Sequence, residues 1–243
     1  MNEASRSVYI GTSGWHYRHW LGPFYPPGLP ASQMLSWYAG RFQTVEVNNS
    51  FYRLLSKEAV GKWSGTVPTG FQLAVKGSRF ITHMKKLKDA VPALEKFFSR
   101  ADLFGKKLGP ILFQLPPFWA PNLERFAEFL DILPQRHRYA FEFRNPGWHI
   151  DPVFRLLEKR RAAFCIFDLA GFTAPVRHTA KFAYVRLHGP GGKYQGSYTR
   201  QALETWARAV ESWRLPRVYI YFDNDESGFA VQDALVMKSL LRA

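Results

Sequence analysis

An α/β fold of the TIM-type (β/α)8 barrel class is predicted by three features of the sequence: eight short β-rich apolar runs, amphipathic segments between them, and a length of 243 residues without a Ser/Gly-rich or acidic linker. The runs are Val8-Tyr9-Ile10, Thr44-Val45-Glu46-Val47, Phe71 to Val75, Ile111 to Leu115, Tyr139 to Phe143, Phe164 to Phe167, Phe182 to Leu187 and Val218 to Phe222. Each is short and rich in β-branched or aromatic residues, as a buried parallel strand requires. One domain over 1–243 is the economical reading.

Between the runs, helical spacing recurs. Leu123, Phe126, Ala127 and Leu130 form one stripe, and Leu203, Trp206, Ala207 and Val210 form another. Asn122 is placed to cap the first of these helices, and Asp151 followed by Pro152 reads as a cap with proline in the first turn. The connection after the sixth run, Leu169 to Lys181, contains Gly171 and Pro175 and lacks an apolar stripe, so its helix is expected to be short or absent. The first loop, Gly14 to Pro30, is rich in proline and aromatics and is expected to form a structured lid.

Hydrophobic residues make up 47% of the chain and charged residues 21%, an ordinary globular composition that excludes disorder. The start, Met1 to Ser7, is polar, and no apolar run is long enough to span a bilayer, so a cytoplasmic protein without membrane contact is expected. Cys165 is the only cysteine, which excludes an internal disulfide and a thiolate cluster; within Ala162-Ala163-Phe164-Cys165-Ile166-Phe167 it reads as a buried core thiol.

The net charge of +14 invites a nucleic-acid reading, which position tempers. Arg41, Lys106, Lys107, Arg136, Arg138, Lys159, Arg160, Arg161, Lys181, Arg214 and Arg217 stand just before strands, where cations offset helix dipoles. A second set follows the strands: Arg18, Arg53, Lys76, Arg79, Lys85, Lys86, Lys88, Arg144, Arg186 and Lys193. These are expected to ring the rim where an anion is drawn in, with Lys85, Lys86 and Lys88 on a solvated loop.

Barrels place their chemistry at the carboxyl ends of the strands, so polar residues there are the informative ones. Glu46 and Asn48 share a face of the second strand, with Phe51 and Tyr52 in its loop; Lys76 ends the third and Gln114 interrupts the fourth. Glu142 and Arg144 share a face of the fifth strand, Asp168 ends the sixth, Arg186 and His188 share a face of the seventh, and Asp223 and Asn224 end the eighth. A charge inside a strand is costly unless it has a partner or a task. Glu46, Glu142, Lys76, His188 and Asp168 are therefore the candidate catalytic set. Asn48, Phe51, Tyr52, Gln114, Arg144, Trp148, Arg186, Asn224 and Trp15 are candidate substrate contacts, with rings placed to stack on sugars or bases.

After the seventh strand, His188-Gly189-Pro190-Gly191-Gly192-Lys193 precedes a helix that begins near Thr199. Gly191, Lys193, Tyr194 and Tyr198 are candidates for a phosphate-binding loop or a flexible cover. His83, His188, Glu46, Glu142, Asp168 and Asp223 are ligand types for a divalent metal, but Lys76, Arg144 and Arg186 crowd the same mouth with cations, and no tightly held metal or other cofactor is expected. Ser13 does not sit in a nucleophile elbow and reads as part of a tight loop.

The motifs Gly11-Thr12-Ser13-Gly14-Trp15, Glu46-Val47-Asn48-Asn49-Ser50-Phe51-Tyr52, Phe113-Gln114-Leu115-Pro116-Pro117, Phe141-Glu142-Phe143-Arg144 and Arg186-Leu187-His188-Gly189 occur in that order. On them the chain resembles the YecE-like family, domain of unknown function 72, over nearly its whole length. The resemblance implies a TIM-type barrel and no established reaction, so no catalytic roles follow from it. A likeness of such barrels to metal-dependent endonucleases is fold analogy alone.

Three readings stay open from the residues. One is a hydrolase or lyase acting on an anionic or phosphate-containing substrate, with Glu142 and Glu46 as acid and base, Lys76, Arg144 and Arg186 binding the anion and His188 shuttling a proton. A second is a protein that binds or processes nucleic acid through a basic, aromatic rim. The third is a sensor that binds a metabolite without chemistry.

Overall fold

Eight parallel strands alternate with helices in the order β1-β9-β8-β6-β5-β4-β3-β2, the arrangement of a TIM-type barrel. The computed structural model describes residues 6–242. The strands are β1 Ser7–Thr12, β2 Thr44–Val47, β3 Gln72–Lys76, β4 Leu108–Leu115, β5 Tyr139–Phe143, β6 Ala163–Leu169, β8 Phe182–Leu187 and β9 Arg217–Phe222. The helices are α1 Met34–Ala39, α2 Asn49–Tyr52, α3 Lys57–Thr66, α4 Val91–Ala101, α5 Leu123–Ile132, α6 Asp151–Lys159, α7 Arg200–Ser212 and α8 Phe229–Leu241. All eight predicted strands are present. In the connection after β6 a two-residue strand, β7 Phe172–Thr173, folds back antiparallel on β6 where a helix was expected to be short or missing.

The chain divides into two compact units. The first comprises Met1–Glu46, Ile166–Ala174 and Lys181–Ala243. Here β9 pairs in unbroken parallel register with β1, Ser7↔Arg217 through Thr12↔Phe222, and with β8, Phe182↔Arg217 through Leu187↔Phe222. Ser13 bridges Glu46 in parallel sense, and the Gly14 N–H donates to the Glu46 carbonyl at 2.9 Å, which joins the end of β1 to β2. Glycine at 11 permits this approach, since a Cβ there would lie 2.3 Å from the Thr44 carbonyl oxygen. The Gly14 to Pro30 loop is structured, as expected, but it is an aromatic cluster in its own right. Trp20 is fully buried against Tyr17, Tyr25 and Tyr38 at ring separations of 4.9, 5.8 and 6.5 Å, and Tyr38 stacks on Phe42 at 4.7 Å.

The second unit, Val47–Cys165 with Pro175–Ala180, is organised by phenylalanines. Phe113 of β4 meets Phe129 of α5 edge-on at 5.2 Å and stacks on Phe141 of β5 at 5.6 Å. Phe126 of α5 packs edge-on against both Phe141 and Phe143. Because side chains alternate along a strand, Phe113, Phe141 and Phe143 commit Gln114, Glu142 and Arg144 to the face turned away from the helices. The in-register pair Gln114↔Glu142 places two polar residues side by side there.

Helix ends follow the sequence in part. The Asn122 side chain accepts the Arg125 N–H at 2.9 Å, as its position before α5 predicts. Asp151 is not a cap: it is the first residue of α6, Ile150 takes the cap position, and the carboxylate instead pairs with Arg177 at 2.8 Å. Two of the cations before strands bind helix carboxyl ends, whereas Arg136 pairs with Asp102 and Arg160 with Asp131. The Lys107 ammonium donates to the carbonyls of Ser64 and Val67 at 2.6 Å each at the end of α3, and Arg41 donates to the Trp37 carbonyl in α1 at 3.1 Å. Among the described residues, no helix is long and apolar enough to cross a membrane; residues 1–5 of the polar start lie outside them.

Two glycines separate steric need from tolerance. Gly11→Ala forces its methyl into the Thr44 carbonyl and is expected to cost about 2–3 kcal/mol. Gly61 lies inside α3 with nothing within 4 Å of a Cβ, so Gly61→Ala is expected to gain about 0.5–1 kcal/mol. Urea unfolding of the two variants checks the opposite signs.

Candidate functional site

In the first unit the carboxyl ends of the strands carry a buried ionic network. Glu46 of β2 is fully buried. Its Oε1 accepts from the Ser13 hydroxyl at 2.6 Å and from Arg186 Nη2 at 2.7 Å, while Oε2 accepts from the Tyr184 hydroxyl at 2.6 Å. Tyr184, Arg186 and His188 alternate along one face of β8 and its end. Arg186, also fully buried, reaches Asp223 Oδ2 at 3.1 Å, and that same oxygen lies 3.0 Å from His188 Nδ1. His188 Nε2 faces Arg186 Nη1 at 3.4 Å, so protein groups are within reach of both ring nitrogens. Burial pushes the Tyr184 hydroxyl well above its ordinary range, reinforced by the Glu46 charge, and it serves as a neutral donor. A carboxylate with both oxygens occupied and an imidazole with no exposed surface make a positioning network for the strand ends.

Around it lie further acidic groups. Asp225 accepts from the Trp20 indole at 2.7 Å and pairs with His19 at 2.9 Å. Burial pushes its carboxyl up to about 6, against the opposing pull of those partners. Burial also raises Asp168, and the Tyr198 hydroxyl bonded to it opposes that shift.

The loop after β8 is tied down at several points. Gly189 has φ +111°, and a Cβ there would meet the Gln195 carbonyl oxygen at 2.2 Å. The Tyr194 N–H donates to the His188 carbonyl at 2.8 Å, and Asn224 Nδ2 donates to the Gly196 carbonyl at 2.8 Å and to Asp233 at 2.7 Å. Asp233 also accepts from the Tyr198 N–H and the Ser197 hydroxyl. Thr199 caps α7 by accepting the Ala202 N–H at 3.2 Å, so that helix start satisfies its own donor. Gly191 and Lys193 are exposed on the outside of this loop.

The second unit gathers cations instead. Lys76, buried at the end of β3, places its ammonium 4.3 Å from the centre of the Phe51 ring, and the His83 ring also meets Phe51, edge-on at 5.1 Å. Burial, then the charges of Lys76, Arg79 and Arg144, drives His83 down to about 4, so it is neutral at pH 7. His83 lies in a single π-turn, Phe80–Met84, a feature that recurs at functional positions. Glu142, fully buried on β5, is hydrogen-bonded by Arg144 Nε, and the Cys165 thiol lies 3.9 Å from its other oxygen. Cys165 is buried as expected, although it faces the carboxylate and not only apolar neighbours. Asn48 Oδ1 and Gln114 Oε1 are buried acceptors without a hydrogen-bond donor among the described residues.

The expected aromatic rim is largely interior. Trp148 is fully buried on the helix side, its indole donating to the Trp119 carbonyl at 2.7 Å and its ring packed on Phe143 and Phe126. Trp15 and Tyr198 are also buried, and Tyr198 accepts the Gly189 N–H. These rings have a core of their own to fill, and of the rings named as candidate substrate contacts only Tyr52 and Tyr194 stand out, at 72% and 36% exposure. Sequence reasoning left out Ser13, Tyr184, Arg79 and Asp233 as site residues. Two of them were signalled: Tyr184 lies two residues before Arg186 on the same strand face, and Arg79 stood among the cations expected at the rim.

A family model described as "Protein of unknown function DUF72" matches residues 9–243. The chain is 26% identical to the UPF0759 protein YunF of Bacillus subtilis over 96% of this chain and 94% of that one. It is 29% identical to the UPF0759 protein YecE of Escherichia coli K12 over 57% of this chain and 49% of that one. The crystal structure of a DUF72 family protein from Thermotoga maritima superposes with a TM-score of 0.89 at 27% identity, covering 98% of this chain and all of that one. A methyltransferase from Methanosarcina mazei shares the fold alone, with a TM-score of 0.56 at 7% identity over 100% of this chain and 94% of that one.

The network in the first unit makes two predictions. Arg186→Met leaves Glu46 buried without its cation and is expected to cost about 3–5 kcal/mol, while Glu46→Gln/Arg186→Met together cost much less than the sum of the single changes. Additive losses in a urea double-mutant cycle would contradict the pairing. For Asp225, a folded-state value of about 6 against 3.8 when unfolded means that the folded chain retains a proton the unfolded chain has lost. Its contribution to stability is thus present at low pH and falls as pH rises through that window. Relative to the parent, Asp225→Asn should gain in urea midpoint from pH 4 to pH 7; a constant gap would refute the assignment.

Proposed function

The chain belongs to the DUF72 family, which is described by no reaction, and from the cationic strand ends of its second unit we propose that it is an enzyme acting on an anionic, hydroxyl-bearing small molecule. The observation that carries this reading is the placing of Lys76 and His83 on the same Phe51 ring, beside the Arg144–Glu142 pair, with the charges of Lys76, Arg79 and Arg144 adding to burial in keeping His83 neutral. Cations grouped about a half-buried imidazole create a positive field in which a phosphate or carboxylate replaces lost hydration. Asn48 Oδ1 and Gln114 Oε1 supply acceptors for substrate hydroxyls.

Glu142 is the group we assign to proton transfer. It stands on the same strand face as Gln114, and Arg144 fixes one of its oxygens. A carboxylate held in this way suits hydrolysis or elimination, in which a proton leaves a hydroxyl, a water or a carbon next to an electron-withdrawing group. Glu46 does not enter the proposal as a second catalytic carboxylate, because Ser13, Arg186 and Tyr184 occupy both its oxygens.

Titration of His83 by NMR tests the anion site. Inorganic phosphate is expected to raise its pKa from about 4, and by linkage phosphate binding should tighten as pH falls toward that range. An unchanged His83 titration at saturating phosphate, or full retention of phosphate binding in Lys76→Met, would overturn the reading. A single-stranded oligonucleotide that displaces phosphate with steep salt dependence would replace the small molecule with nucleic acid. Once a sugar phosphate or hydroxy acid is found to turn over, Glu142→Gln should lower kcat by about 100-fold or more with binding retained.

A further inference from the structure

A cavity of about 530 Å³ opens on the second unit, and it is separate from the cationic strand ends just described. Val75 lines it, whereas the next residue, Lys76, belongs to the opposite face of β3. Leu55, Phe80 and Phe97 supply further apolar wall. At its mouth Leu54 and Phe80 keep 48% and 42% of their surface exposed, a patch of large apolar residues left in contact with solvent.

The rim is charged with one sign in excess. Lys85, Lys96 and Arg100 line the cavity against a single lining carboxylate, Asp89. Lys96 and Arg100 are one helical turn apart on α4, as are Ala93 and Phe97, so the helix presents an apolar floor with a cationic edge beside it. Lys85 follows the π-turn, its ammonium 5.8 Å from the Phe80 ring. Lys86, Leu87 and Asp89 all adopt left-handed backbone, with φ of 48°, 67° and 47°, and Leu87 is anchored by its N–H to the Ile81 carbonyl at 2.9 Å. The turn that carries Asp89 and follows Lys85 thus has three residues in a conformation that ordinary side chains adopt only at a cost, while Lys85 itself keeps right-handed backbone.

We propose that this cavity is a binding site for an amphipathic monoanion, an apolar body carrying one carboxylate or sulfonate head. Its volume falls in the range of sites that enclose ligands of that size. The apolar body displaces water from Leu55, Val75, Phe80 and Phe97, and the head lies at the edge formed by Lys96 and Arg100 with Lys85 facing them. A neutral or cationic amphiphile gains the first contribution without the second.

The test uses the full chain with 8-anilinonaphthalene-1-sulfonate as fluorescent reporter and decanoate, decanol and decylammonium as displacers. Decanoate is expected to displace the reporter at a concentration at least tenfold lower than decylammonium, with decanol between them. Ala93→Trp fills the floor and should weaken decanoate binding at least tenfold. Lys96→Glu/Arg100→Glu alters only the helix edge, so it keeps the test valid if the tryptophan variant fails to fold, and it should erase the preference for decanoate over decylammonium. The proposal is overturned if the three amphiphiles displace alike, if none displaces, or if decanoate affinity survives the double charge reversal. Glu142→Gln and Lys76→Met should leave this binding unchanged, and loss of it in either would mean that the reporter reads the strand-end cluster instead.

Discussion

The two-residue period of a β-strand, combined with the need to cover helices with aromatic surface, fixes what the rest of the second unit can do. Phe113, Phe141 and Phe143 bury their rings against α5 and one another. Once they are so placed, Gln114, Glu142 and Arg144 have only the other face available. A one-residue slip would turn the charged set onto the helices and the phenylalanines away from them, and the cost of burying a carboxylate and a guanidinium among apolar helix faces while exposing the rings opposes it. The polar face is thus positioned by the apolar one.

The same economy governs the first unit through charge. Arg186 and Glu46 have no exposed surface, so each depends on the other and on the hydroxyls of Ser13 and Tyr184. Strands β1, β2, β8 and β9 each contribute a member directly or from the residue that follows, and the network therefore records the register of four strands at once. A buried ion pair is weak as a source of stability against an apolar alternative, yet it penalises every arrangement that separates its members. Its value to the fold lies in specification.

Much of this was legible in the sequence where the signal was local. Strand positions followed from short apolar runs, the α5 cap from Asn122, and the missing helix after β6 from Gly171 and Pro175. The cations before strands declared themselves by position, and Lys107 and Arg41 are found on helix carbonyls. What was misread depends on partners distant in the chain. Trp148 looks like a loop ring until Phe126 and Phe143 close over it. Asp151 has the composition of a cap, but Arg177 lies within reach of its carboxylate. Ser13 looks like a loop former because Glu46 is 33 residues away, and Asp233 hides on an apolar helix because Tyr198, Ser197 and Asn224 reach it from a folded loop.

The lysine and arginine caps on helix carboxyl ends also govern how the chain can be re-engineered. A sequence pI near 10 invites surface neutralisation to improve handling. Such redesign cannot treat the basic residues as interchangeable decoration. Lys107 closes the end of α3 on two carbonyls and Arg41 grips α1, so exchanging them for glutamate would both orphan those carbonyls and set like charge against the helix terminus. Exposed Lys57, Lys62, Lys86 and Lys88 carry no such duty among the described hydrogen bonds, and a recharged surface would begin with them.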